Sequence, residues 1–129
     1  MNGTMSDHLK QEISELYFRY KHLVMTVCAT MLMEEIDPDA VATAERLVAR
    51  ARKARRAARG SPMEPVFWAC EGAVKDLAGR AAEWLQTGLP PDESVIGQLR
   101  EEHRTFRQQM WNLGYFEYVP CSAEDAGSR

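Results

Sequence analysis

Motifs that announce chemistry are missing from this 129-residue chain. It has no HExxH pair, no GxSxG elbow, no P-loop and no glycine-rich dinucleotide turn, so zinc protease, serine hydrolase and nucleotide-binding mechanisms have no signature in it. Histidine is scarce. None of the three histidines stands in Glu-x-x-His spacing, whereas a ferritin-like di-iron bundle needs two such pairs and further inward glutamates. The absent CxxCH excludes covalent haem, and nothing specific supports a non-covalent haem held by His103 or a methionine. No metal and no cofactor is therefore expected, and an enzyme is the minority reading.

Cysteine is as sparse. Cys28, Cys70 and Cys121 are too scattered for a zinc ribbon or a CxxC redox motif, and an odd number of them suits free thiols in a reducing compartment. Long apolar runs are absent too: the longest uncharged stretch, Leu23 to Met33, is about half of the roughly 20 residues that a spanning helix needs. Such a stretch belongs to a buried helix or an interface. Met1 to Glu15 is polar and charged, unlike the apolar centre of a signal peptide, so the cytoplasm is the expected location and no membrane association is expected.

What is present reads as one packed domain. Apolar residues make up 45% and charged residues 27% of the chain, close to globular averages. The expected domain covers residues 1–121, with 122–129 as a disordered tail. The net charge of −3 argues against a surface that coats nucleic acid throughout, yet permits a local basic patch.

Apolar spacing divides the domain into four amphipathic helices. The first is expected from Ser6, as N-cap, to Ile36, with Leu9, Ile13, Leu16, Tyr20, Leu23 and Val27 on one seam. Asp37-Pro38 stops it, because proline excludes its predecessor from the α region and suits the first turn of a new helix. The second helix runs to about Arg59, with Ala40, Ala44, Leu47, Ala51, Ala54 and Ala58 on one face, where alanine lets two backbones approach. Gly60-Ser61-Pro62 breaks it. The third reaches about Gln86 on a seam of Phe67, Cys70, Val74, Leu77, Ala81 and Trp84, and Gly88 marks its end. The fourth follows Asp92 and carries Ile96, Leu99, His103, Phe106, Met110 and Leu113. Short loops favour antiparallel neighbours, so the expected fold is an all-α antiparallel four-helix bundle, with the aromatic segment Tyr115 to Pro120 packed back on it.

Four groups of residues ask for a function. Arg46, Arg50, Arg52, Lys53, Arg55, Arg56 and Arg59 form a basic face with no acidic residue among them, and Arg100, Arg104 and Arg107 add a second stripe beside Trp111. Guanidiniums so arranged can hold phosphates, with Trp111 available for stacking. The competing and favoured account is a solvated face neutralised by acids such as Glu12, Glu15, Glu34 and Glu35, or by an acidic partner protein, since no helix-turn-helix or basic-zipper context is recognisable.

The first helix bears a second apolar stripe, Phe18, Met25 and Leu32, with Ala29 beside it. A peripheral bundle helix needs one apolar face, so a second implies cover by the chain's own tail, a second copy or a partner. On the third helix Trp68, Gly72, Lys75 and Gly79 share the stripe opposite the seam, where two interior glycines invite a close backbone or a flat ligand; close packing is the favoured account. His103 sits on an apolar seam. A core histidine bonded to a neighbouring helix is favoured there over a ligand or pH sensor in a pocket formed with Trp68, Gly72 and Gly79.

The function these features suggest is non-enzymatic: a helical accessory or regulatory protein that docks a protein partner or a second copy of itself through Phe18, Met25, Ala29 and Leu32. The alternatives are a nucleic-acid or phosphate-binding regulator using the arginine-rich helix, and a helical pocket for a small molecule.

Overall fold

The computed structural model describes residues 2–31 and 35–112. They form four helices, α1 (Asn2–Met31), α2 (Pro38–Ala57), α3 (Glu64–Thr87) and α4 (Glu93–Asn112), with no strand among the described residues. Their packing is compatible with a bundle, in which α3 lies against each of the other three and the α2–α3 contact is the most extensive. The expected cover by Tyr115 to Pro120, the 122–129 tail, Leu32, Leu113 and Cys121 lie outside the described residues.

Three of the helix limits differ from expectation. α1 begins at Asn2, so Ser6 is inside the helix instead of capping it; serine in a helix interior costs only some tenths of a kcal/mol, too little to enforce a start. Ile36 is outside α1 and turns its side chain into the core. Asp37 takes extended backbone ahead of Pro38, and its carboxylate accepts from the Asp39 amide at 2.9 Å, as a helix N-cap does. Ile36 and Val41 are both buried at the spacing of a hydrophobic staple around that cap. α2 ends at Ala57 instead of Arg59, and the following turn places Gly60 at φ 79°, a conformation costly for any side chain.

The α3 terminus matches its sequence signal: Gly88, at φ 75°, sends its amide back to the Trp84 carbonyl at 2.7 Å. After Pro90-Pro91, the Asp92 carboxylate accepts from the Val95 amide and the Ser94 hydroxyl. These bonds hold the exposed Asp92 carboxyl below its ordinary range, the Ser94 hydroxyl contributing most.

Every expected seam position of α1, α2 and α3 is buried. On α4, Leu99, Phe106 and Met110 are buried, while Ile96 and His103 are only half-buried. Full burial of one such apolar side chain stabilises by roughly 1.5–3 kcal/mol, so unequal burial has an energetic consequence. α3 buries ten side chains and α4 three, which makes α4 the least anchored of the four.

Candidate functional site

The basic face of α2 is partly consumed inside the fold. Arg50 forms a two-pronged bond to Glu12 of α1, at 2.8 and 3.0 Å, and its guanidinium holds the Glu12 carboxyl below the usual range. Arg52 reaches one oxygen of Glu71 at 3.1 Å and Arg55 bonds the other. Glu71, on α3, is 7% exposed. Burial pushes its carboxyl up, but the bonds from Arg55 and Arg52 outweigh that and hold it below its ordinary value.

Trp68 completes this network. The Arg55 guanidinium lies over its ring, 3.9 Å from the centroid, and the indole Nε1 donates to Glu64 at 3.3 Å. Glu64 in turn accepts from the Gly60 amide, so a run of contacts ties the turn after α2 to the start of α3. Glu71 escapes a reading of the sequence because it lies just beside the α3 seam and its partners are 16 and 19 residues away. The available signal was its helical phase, next to Cys70 and toward the basic helix. Glu15, one of the expected neutralising acids, pairs with Arg19 of its own helix; Glu34 lies outside the described residues.

The remaining cations of the two basic stripes point outward. Lys53, Arg56 and Arg59 are exposed and meet no acidic side chain among the described residues. Arg46 bonds the Thr43 hydroxyl. On α4 Arg104 pairs with Glu101; Arg100 and Arg107 are exposed, and a shallow hollow lies along Arg104, Arg107, Gln108 and Trp111.

The second stripe of α1 is open to solvent. Phe18 is 42% exposed and Met25 61%, and Ala29 is exposed as well. Beside Phe18 runs a hollow of about 280 Å³ between α1 and α2, lined by Glu15, Phe18, Arg19, His22, Leu23 and Thr43. A neighbouring hollow shares Arg19, Leu23 and Thr43 and continues to Arg46, Leu47 and Arg50. Apolar floor and cationic rim thus adjoin.

His103 and Trp68 take their partners from different places. The His103 ring stacks on Tyr17 at 5.8 Å and lies 5.6 Å from Tyr20, with Nε2 3.5 Å from the Tyr17 hydroxyl. Burial, then Arg107 and Lys21, hold its pKa below the ordinary histidine value, so the ring is neutral at physiological pH. Phe106 meets Tyr17 edge-on at 5.3 Å. The arrangement joins α4 to α1 through aromatic packing, which sequence spacing did not reveal for Tyr17. Around Gly72 and Gly79, a Cβ at either position would meet nothing within 4 Å. The close approach expected there is therefore not made by the described residues.

A second polar group lies where α3 meets α4. Burial, and then the neighbouring Asp76 carboxylate, push the Glu102 carboxyl up to about 7, and Arg80 stands 3.6 Å from Asp76 and 3.3 Å from the Gln98 amide oxygen. The Tyr20 hydroxyl and Glu102 Oε1 are shut off from water without a hydrogen-bond partner.

Among the described residues no cluster of three or more histidine, cysteine, aspartate or glutamate side chains is placed to hold a metal ion, and no helix is long and apolar enough to cross a membrane. Comparison with protein families, curated proteins and solved structures finds no match.

Proposed function

We propose that this protein is a helical accessory or regulatory protein that acts by docking another polypeptide on the outer face of α1. The observation that carries the reading is the exposure of Phe18 and Met25, seven residues apart on one helical stripe, beside a hollow whose rim carries Arg19 and Arg46. Large apolar side chains aligned next to a concavity are the form that helix-binding surfaces take, and methionine adapts to a partner's shape. On that rim Arg19 is paired with Glu15, which leaves Arg46 to meet a carboxylate beside the partner's apolar ridge.

The bundle that presents this face is read as up-and-down and antiparallel. Support comes from pairings of early with late positions: Glu12 with Arg50, Arg55 with Glu71 and Arg80 with Gln98. The proposed setting is the cytoplasm, with Cys28 and Cys70 as free thiols. A nucleic-acid role for the basic face of α2 draws on Arg46, Lys53, Arg56 and Arg59, because Arg50, Arg52 and Arg55 are engaged by Glu12 and Glu71.

Met25→Glu tests the docking face. The side chain is exposed, so the isolated chain should keep its helicity and its unfolding free energy within about 0.5 kcal/mol. A partner that co-purifies in fixed ratio with the parent, or a dimer detected by sedimentation, should be lost, because the new carboxylate would be buried in an apolar contact. If parent and variant show the same mass and the same co-purifying chains, docking on this face is wrong.

A further inference from the structure

We infer that the outer face of α4 binds single-stranded nucleic acid, with its arginines on successive phosphates and Trp111 stacked on an unpaired base. The site is independent of the docking face of α1. Arg100, Arg104, Arg107 and Trp111 follow one another at spacings of four, three and four residues, which is one stripe of a helix. All four are exposed, Trp111 to 65%. A hollow of about 300 Å³ is lined by Arg104, Arg107, Gln108 and Trp111, so guanidiniums and indole border the same space.

The tryptophan is what a merely solvated basic face leaves unexplained. Arginines alone suffice for inorganic phosphate or for the carboxylates of an acidic peptide. A large ring mostly in water beside them adds a flat surface, and every base has a π-face to lay on it. In a duplex the bases stack on one another and are closed to such a ring, whereas a single strand presents them. Spacing agrees with this choice. Arg100, Arg104 and Arg107 stand about 6 and 4.5 Å apart along the helix axis. A duplex strand carries a phosphate every roughly 3.4 Å of axis, and an unstacked strand opens that interval toward the one the arginines have.

Charge agrees too. Against the three arginines of the stripe stands Glu101, which reaches Arg104 at 3.3 Å with side chains 64% and 74% exposed. A bridge so exposed is weak, and a phosphate can draw the guanidinium from it. At the inner edge of the stripe His103 stacks on Tyr17 of α1. Among the described residues the charges that act on this ring are Arg107 and Lys21, both cations, so the α1 side is positive as well. Leu99, Phe106 and Met110 anchor α4 from a neighbouring face, so the stripe projects from a helix already in place.

Fluorescence anisotropy of a labelled oligothymidylate of about 12 nucleotides, titrated with the full chain, tests the site. The parent should bind at low salt, with log affinity falling against log salt by about 0.7 for each phosphate held. Trp111→Ala should weaken binding by about tenfold or more, the contribution of one stacked base. Trp111→Phe, which keeps a ring and guards against a folding defect in the alanine variant, should retain most of it. Arg107→Gln should lower the salt slope by about 0.7. Lys53→Gln with Arg56→Gln, on α2, should change neither. Thymidine monophosphate should displace the oligonucleotide only at far higher concentration, and polyglutamate should not displace it. No binding by the parent at low salt, or equal affinity of the parent and Trp111→Ala, overturns the proposal. So does a loss confined to the α2 substitutions, which assigns the strand to the other basic face. Equal potency of the mononucleotide, or displacement by polyglutamate, overturns the assignment to a strand.

Discussion

The α2–α3 seam buries a glutamate and the α3–α4 seam half-buries one, and they treat it in opposite ways. Glu71 receives two guanidiniums, one on each oxygen, and a tryptophan ring flanks one of them. Glu102 meets another carboxyl and shares one arginine with it. The residue type and the all-helical surroundings are the same, yet one carboxyl is held below its ordinary range and the other above it. The deciding variable is the ratio of cations to carboxylates at the seam, since desolvation acts against the charged form at both. A seam with surplus cations becomes a fastener that acid weakens, and a seam with surplus carboxylates becomes one that base weakens.

The largest expected effect of that difference is at Glu71. Glu71→Gln leaves Arg55, which is mostly buried, and Arg52 without their anion. Breaking such a pair falls between the 3–5 kcal/mol of a buried bridge and the roughly 1 kcal/mol of a surface one, so about 2–3 kcal/mol of unfolding free energy should be lost at pH 7. The chemically identical change at Glu102 should be neutral or stabilising at pH 8. Urea unfolding of both variants measures the two signs, and equal destabilisation by both would end the contrast. Acid should also separate the seams: the stability contributed by Glu71 is present above the ordinary glutamate range and is lost as pH falls through its depressed folded value, the reverse of the order at Glu102.

His103 sharpens the comparison on the α4 side. Its ring is stacked between α4 and the tyrosines of α1, so His103→Ala should cost about 1–2 kcal/mol through lost aromatic contact. The loss should be smaller at pH 5.5 than at 7.5, because the folded ring, held below its ordinary pKa by burial, resists the proton that the unfolded chain takes up in acid, so the contribution of His103 falls as pH falls. Thermal unfolding at the two pH values checks this. An unchanged melting temperature would remove the structural role.

Much of the fold, and much less of the site, was legible in the residues. The Leu9, Ile13, Leu16, Tyr20, Leu23 and Val27 spacing identified the buried face of α1, because burial follows helical phase and phase is a local property. Asp37-Pro38, Gly60 and Gly88 marked turns for the same local reason. Ile36 did not follow the periodic pattern, since the proline two residues on ejects it from the helix while the core still accepts its side chain. The pairs at the seams are non-local. Which arginine meets Glu71, and that Glu102 meets another acid, depends on the rotation and stagger of two helices, and one helix's pattern cannot contain that. The exposed stripe of Phe18 and Met25 was visible as a second apolar face. What covers it is a property of another molecule, or of residues beyond those described, and no spacing encodes it.

The smallest expected effect concerns Trp68, and it decides whether the α2–α3 fastener includes the ring or merely passes under it. The indole is 52% exposed, so its burial contributes little, and its contact with Arg55 is of the partly hydrated kind that stabilises by about 0.5–1 kcal/mol. Trp68→Ala alone would mix that contact with the bond to Glu64 and with helix propensity. A double-mutant cycle with Arg55→Met isolates it, provided that Glu71 is replaced by glutamine in all four proteins, so that no carboxylate is left unpaired by the arginine change. The coupling energy between positions 55 and 68 should then be about 0.5–1 kcal/mol, measured by urea unfolding at low salt. A coupling of zero would mean that Arg55 is placed by Glu71 alone. Trp68 would then be an exposed aromatic kept for some contact outside the fold, and the α2–α3 seam would owe its acid-side behaviour to its two salt bridges without help from the ring.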